Sequence, residues 1–157
     1  MAKTLTQKIA WGLSIGFGSG LLPKAPGTFG SLVALFAFYP LSKFSWQLQL
    51  TSILILSVIA FWSVNEAQQM TQKHDDSRIV IDEFVGQWIA LFTAPTNWIY
   101  FGIAFVLFRM LDILKPYPAN YADRRWSGAK GIVMDDVFAG IYALAILRAL
   151  ERLWLQT

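Results

Sequence analysis

Long apolar runs alternate along the chain with short polar breaks marked by glycine or proline, and this pattern predicts helices throughout. Uncharged windows cover 25–42, 44–65 and 84–108. The middle one, centred on LQLTSILILSVIAFW, has no breaker and is about the length a helix needs to cross a bilayer core. In the last window Pro95, Thr96 and Asn97 read as a turn between two helices. With their flanking polar residues these helices are predicted over 79–94 and 98–114, about 24 and 26 Å long at 1.5 Å per residue. That is short for a crossing and favours tilted or partly re-entrant placement. Pro26, Gly27, Gly30 and Pro40 confine the helix of the first window to about 29–40, and a closing helix is expected over 132–154. The expected fold is all-α: a single multi-helix bundle over 1–157, multi-pass and membrane-embedded, with short or tilted helices.

Folding these helices as hairpins with tips at Lys43 and 95–97 gathers four segments at one end: PKAPGTFGS, IVIDE, FRMLDILKPYP and IVMDD. The same end carries Lys3, Lys8, Lys24, Lys73, Arg78, Arg109, Lys115, Arg124, Arg125 and Lys130, while the tips carry only Lys43. The excess of positive charge places that end on the cytoplasmic side, with Arg148 and Arg152 running against the trend. Composition supports a membrane setting. The chain is 55% hydrophobic and only 15% charged, against about 25% charged in an ordinary globular protein. A net charge of +3 with so apolar a chain excludes a nucleic-acid binder and suits basic residues near anionic headgroups. The absence of cysteine rules out disulfides and thiolate metal sites. The opening MAKTLTQKIAWGLSIGFGSG makes a poor signal peptide and is expected to be retained. Trp46, Trp98 and Trp126 stand at predicted helix ends, as in an interfacial belt.

Chemistry concentrates in the acids. IVIDEFVGQWIAL (79–91) and IVMDDVFAGIYAL (132–144) each place adjacent carboxylates, Asp82 with Glu83 and Asp135 with Asp136, at the entrance of an apolar run. Aligned without gaps, the two segments share Ile, Val, Asp, Ala and Leu. Asp112 has Arg109 three residues before it on one helical face, but the other four have no neighbouring cation in sequence. Burying them unpaired costs several kcal/mol each. A hard, oxygen-seeking divalent ion offsets that cost, and Mg²⁺ is the usual choice beside phosphate. The alternative is that the acids are caps and first-turn residues favoured by the helix dipole. In PGTFGS, Thr28 reads as an N-cap, with Gly30 and Ser31 in a first turn able to receive an anion. Arg109 and Lys115 could neutralise phosphate charge, and Pro116 and Pro118 end their helix. GFGSG (16–20) follows no strand, so it is a flexible or closely packed approach rather than a dinucleotide site. Asp123, Arg124, Arg125 and Lys130 read as a basic, headgroup-facing loop, and His74 as a loop histidine.

The segments LLPKAPGTFGSL, DDSRIVIDEFVG, FRMLDILKPYP and GAKGIVMDDVFAG, in this order and spacing, resemble the phosphatidylglycerophosphatase A family, bacterial inner-membrane lipid phosphatases, over most of the chain. The resemblance implies Mg²⁺-dependent hydrolysis of the phosphate monoester of phosphatidylglycerophosphate, yielding phosphatidylglycerol and phosphate in phospholipid biosynthesis. It implies a multi-pass inner-membrane protein with its site facing the cytoplasm and a membrane lipid as substrate. Asp82, Glu83, Asp112, Asp135 and Asp136 are then the expected metal ligands, with Asp82, Glu83, Asp112 and Asp136 catalytic. Gly27, Thr28, Ser31, Arg109 and Lys115 are the expected phosphate contacts. Many members have Asp-Pro where this chain has Asp75-Asp76, which weakens any role for that loop. Two other readings share these residues: a helical phosphohydrolase for a soluble phosphate ester, and a membrane cation-binding or transport protein.

Overall fold

The computed structural model describes residues 4–73 and 76–154; His74 and Asp75, like Lys3, lie outside them. Among the described residues every regular element is helical: α1 (Leu5–Ser14), a 3₁₀ segment (Gly16–Leu21), α2 (Pro26–Leu41), α3 (Trp46–Thr71), α4 (Ile81–Leu91), α5 (Trp98–Leu114), α6 (Ala119–Arg125) and α7 (Ala129–Trp154). The all-helical bundle agrees with the apolar pattern, and the α4–α5 turn falls where Pro95 to Asn97 predicted it. The two hairpin tips touch at the pole away from the acids, where the hydroxyls of Ser42 and Thr96 lie 3.2 Å apart.

Several boundaries differ from expectation for identifiable reasons. α2 begins at Pro26 because a proline at N1 is already set for the helix and lacks only an N–H that would have no helical partner. Ala25 is therefore the N-cap, in the left-handed region at φ 48, and Thr28 is not. α4 is shorter than 79–94 because its flanks are bonded elsewhere. The Val80 N–H donates to the Ser14 carbonyl at 2.8 Å, the Ile79 N–H to the Asp76 carbonyl at 2.8 Å, and the Thr93 N–H to the Gln49 side chain at 2.9 Å. The expected 123–130 loop instead contains the end of α6 and the start of α7.

At about 16 Å, α4 is too short to cross a hydrocarbon core of about 30 Å. It is the buried centre of the molecule. Ile81, Phe84, Val85, Ala90 and Leu91 are all in the core, and Trp88 and Ile89 join the two clusters of buried side chains that α4 separates. α3 is the one described helix long and apolar enough to cross a membrane. Its outward face is apolar, with Leu54, Ile55, Val58 and Trp62 exposed, and α5 adds Ile99, Val106, Met110 and Ile113. Arg148, which ran against the charge asymmetry, has a local task. Its guanidinium donates to the Phe92 carbonyl at the end of α4 at 3.0 Å and pairs with Glu151.

α4 and α7 cross at two glycines. A Cβ on Gly86 would collide with the Phe108 ring and stand 2.7 Å from the Asp136 carbonyl oxygen, and one on Gly140 would meet the Gly86 carbonyl. Near the start of α4, the buried Asp76 accepts from the Arg78 guanidinium at 2.9 and 2.6 Å and from its backbone N–H at 3.1 Å, while the guanidinium covers the Trp11 ring. Within GFGSG, Gly16 and Gly20 are closely packed against this corner, Gly20 lying on the Arg78 carbonyl, while Phe17 is exposed.

Gly86→Ala should destabilise the protein by about 1–3 kcal/mol through overpacking. Gly102→Ala, with open space at its Cβ, should be neutral or stabilising by up to about 1 kcal/mol; denaturant unfolding in detergent compares them. The Arg78 hydrogen bonds, working against burial, hold the Asp76 carboxyl down at about 2. A carboxyl depressed in the folded state contributes stability that is present above its unfolded value, near 3.9, and is lost as pH falls through the folded one. Unfolding midpoints should therefore drop between about pH 4 and pH 2, and Asp76→Asn should remove that contribution to the slope.

Candidate functional site

The acidic pole encloses a cavity of about 480 Å³. The helix boundaries explain its contents. α2, α4 and α7 begin at this pole, and α5 ends there. The N-terminal half of α4 brings Asp82 and Glu83, that of α7 brings Asp135 and Asp136, and the last two turns of α5 bring Arg109 and Asp112. Ala25, Pro26 and Gly27 form the wall supplied by α2 and its cap.

The glycine crossing sets which acids meet. Asp82 and Gly86 are four residues apart on α4, and Asp136 and Gly140 are four apart on α7, so each acid lies on its glycine's face, one turn nearer the cavity. With the two glycines in contact, the parallel helices bring Asp82 and Asp136 together. One carboxylate oxygen from each of Asp82, Glu83 and Asp136 lies within 4.8 Å of the other two. The offset of the glycines in the ungapped alignment of the two segments follows directly: the spatial equivalent of Asp82 is Asp136, not Asp135.

The remaining acids hold the two cations. Asp112 accepts from Arg109 Nη1 at 2.6 Å, and the same nitrogen is 3.9 Å from Glu83. Lys115 is the C-cap of α5, at φ 45, with Pro116 preventing continuation of the helix. Its ammonium donates to Asp135 at 2.6 Å and Asp123 at 2.7 Å. Burial works against that charge, but the two carboxylates outweigh it and raise the Lys115 pKa above its ordinary value. The other Asp135 oxygen accepts from the Asp136 N–H at 2.9 Å.

Of the expected phosphate contacts, Gly27, Arg109 and Lys115 line the cavity. A Cβ on Gly27 would collide with Glu83 and stand 3.2 Å from Arg109 Nη2, so the backbone approaches both groups as only glycine allows. Thr28 and Ser31 are placed differently. The Thr28 N–H donates to the Ala25 carbonyl at 3.0 Å, and the buried Ser31 hydroxyl donates to the Gly27 carbonyl at 2.8 Å while accepting from Arg109 at 3.4 Å. Both lie in α2 near the cavity wall, and Ser31 supports Arg109.

Asp123, read from the sequence as part of a headgroup-facing loop, lines the cavity instead, and Ser77, Ile79 and Ile132, not singled out from the sequence, line it too. Pro116 and Pro118 break helical periodicity between Lys115 and Asp123, so no spacing rule connects them. Among the described residues, six carboxylates and two cations line the cavity, a formal excess of four negative charges. Asp82 Oδ1 and Glu83 Oε2 are buried without a hydrogen-bond partner. An all-oxygen donor set with uncommitted buried oxygens fits a hard divalent ion.

The model of the phosphatidylglycerophosphatase A family matches residues 12–151. Phosphatidylglycerophosphatase A of Escherichia coli (strain K12) is 39% identical over 143 residues, covering 90% of this chain and 83% of that protein. The Haemophilus influenzae protein of the same name is 38% identical over 141 residues, covering 88% of this chain and 86% of its own length. A Bacteroides thetaiotaomicron protein described as a candidate phosphatidylinositol-3-phosphatase is also 38% identical, over 143 residues, 86% of this chain and 89% of its own. No solved structure matches. With the family model covering the acidic site and nearly the whole helical bundle around it, this chain belongs to the phosphatidylglycerophosphatase A family of phosphatases.

Proposed function

We propose that this protein hydrolyses the terminal phosphate monoester of phosphatidylglycerophosphate with the help of Mg²⁺, completing phosphatidylglycerol synthesis at the cytoplasmic face of a bacterial inner membrane. The observation that carries this reading is the charge balance of the cavity. A phosphate dianion is repelled by a lining with four excess formal negative charges unless bound cations or protons offset them. Asp82, Glu83 and Asp136, whose oxygens converge, would hold the ion, with Asp112 and Asp135 as the further acids of the same cavity. When bound, Mg²⁺ supplies Lewis-acid polarisation of the phosphoryl group and a more acidic water.

The protein's own groups do the rest. Arg109, Lys115 and the Gly27 N–H grip the nonbridging oxygens, the charge-assisted bonds being the stronger. Asp112 fixes the Arg109 guanidinium, and Asp135 with Asp123 fixes the Lys115 ammonium, so neither cation must reorganise as charge builds on the phosphoryl group. Water forms the new bond to phosphorus, the ester oxygen departs and takes a proton, and the lipid keeps a hydroxyl. The apolar outer faces of α3 and α5 suit contact with lipid, so the acyl chains remain in the bilayer while the headgroup reaches the polar pole. α3 crosses the membrane in this arrangement, with the shorter helices packed beside it and inserted to lesser depth.

Phosphate release by the purified protein should require Mg²⁺ and fall on chelation. Asp82→Asn and Asp136→Asn should each lose at least about 100-fold in kcat/KM, roughly 3 kcal/mol of transition-state stabilisation, while remaining folded; full activity in both would sink the metal-site reading. Release from phosphatidylinositol 3-phosphate or a soluble ester, with none from phosphatidylglycerophosphate, would replace the substrate and keep the site. Gly27→Ala, by displacing Glu83, should reduce kcat/KM at least tenfold with little change in the unfolding midpoint.

A further inference from the structure

Gln87 is fully buried, and among the described residues neither its amide oxygen nor its amide nitrogen has a hydrogen-bond partner. An unsatisfied buried amide costs on the order of 1–3 kcal/mol, whereas a methionine or leucine at this position in a buried helix would cost nothing of the kind. The position is also particular. Gln87 lies one turn along α4 from Glu83, four residues on and therefore on the same face, on the core side of the carboxylates.

Three other buried polar atoms share the condition: Asp82 Oδ1, Glu83 Oε2 and Arg109 Nε. Asp82 is adjacent to Glu83 in α4, and the Arg109 guanidinium is 3.9 Å from the Glu83 carboxylate. The set is complementary. Gln87 Nε2 and Arg109 Nε are donors, and Asp82 Oδ1, Glu83 Oε2 and Gln87 Oε1 are acceptors. Buried water is the usual link between such groups, each molecule making about three hydrogen bonds.

We propose that Gln87 is a positioning residue of the cation site: through ordered water beneath the carboxylates, it holds Glu83 and the Arg109 guanidinium in the arrangement that presents the Glu83 carboxylate to the ion. The inference rests on the reading of Asp82, Glu83 and Asp136 as cation ligands. Its physical content is a trade of stability for ligand geometry, since the amide weakens the core of α4 and is retained where it orients a ligand. Groups that orient metal ligands typically change affinity by about 10- to 100-fold when removed.

The test is calorimetric titration of the purified, detergent-solubilised, metal-free protein with Mn²⁺ and Mg²⁺, beside denaturant unfolding of the same samples. Gln87→Met, close in volume, should leave the metal-free protein as stable as wild type or more stable, and weaken cation binding at least tenfold. Gln87→Asn, which keeps an amide and leaves room for a further water, should fall between the two. Gln87→Met binding within twofold of wild type would overturn the proposal. So would metal-free unfolding of both variants, which would make the amide a requirement of the core. If only the methionine variant failed to fold, the asparagine variant would decide, wild-type affinity overturning the proposal and weakened affinity supporting it. Failure of the underlying reading looks different: wild type and Asp136→Asn would then bind cation equally or not at all.

Discussion

The contact between Gly86 and Gly140 is the constraint from which the rest of the site follows. Two helices can approach this closely only where neither carries a side chain at the crossing, and here the Gly86 carbonyl occupies the space a Cβ on Gly140 would need. Because α4 and α7 run in parallel from the same pole, what lies one turn before each glycine is brought together as well. In both helices that residue is an aspartate. The packing that buries α4 and the gathering of the acids are therefore one structural event, and a stable core forces like charges into proximity.

The molecule handles its buried acids in two ways. Asp76, Asp112 and Asp135 each sit against a cation, Arg78, Arg109 and Lys115 respectively, at 2.6 Å, so burial is offset locally. Asp82, Glu83 and Asp136 converge on one another, with Arg109 at 3.9 Å the nearest paired cation of Glu83. The first arrangement offsets burial locally; the second leaves three carboxylates facing one another, a set that a bound cation would complete. Cations already committed to Asp112 and Asp135 are the ones aimed at the same cavity, which gives those two acids a part in orienting charge.

The opposite pole has a different logic. There Ser42, Gln49, Thr93 and Arg148 satisfy the ends of α2 and α4 through side chains, closing the hairpin tips without any cluster of acids. The short, central α4 is thus capped at one end by a polar network and opens at the other into the cavity. Around it, the exposed apolar faces of α3 and α5 leave the site at the end of an apolar body, where a lipid headgroup can meet it.

The amino-acid sequence by itself determined the helical class, the α4–α5 turn, the α5 boundaries and the five acids that gather at one pole, because apolar periodicity, prolines and unpaired carboxylates are local signals. The Arg109–Asp112 pair was legible for the same reason, being one turn apart on one helix. Tertiary structure decided what depends on two segments at once. It shortened α4 by bonding Val80 to Ser14 and Thr93 to Gln49, and it paired Asp82 with Asp136 through a glycine crossing that ungapped alignment puts out of register. It also brought Asp123 to Lys115 across two prolines, and it set Gln87 behind Glu83 in a core where neither amide atom finds a partner. Local spacing specifies which face of a helix a residue occupies; only the packed neighbour decides what that face meets.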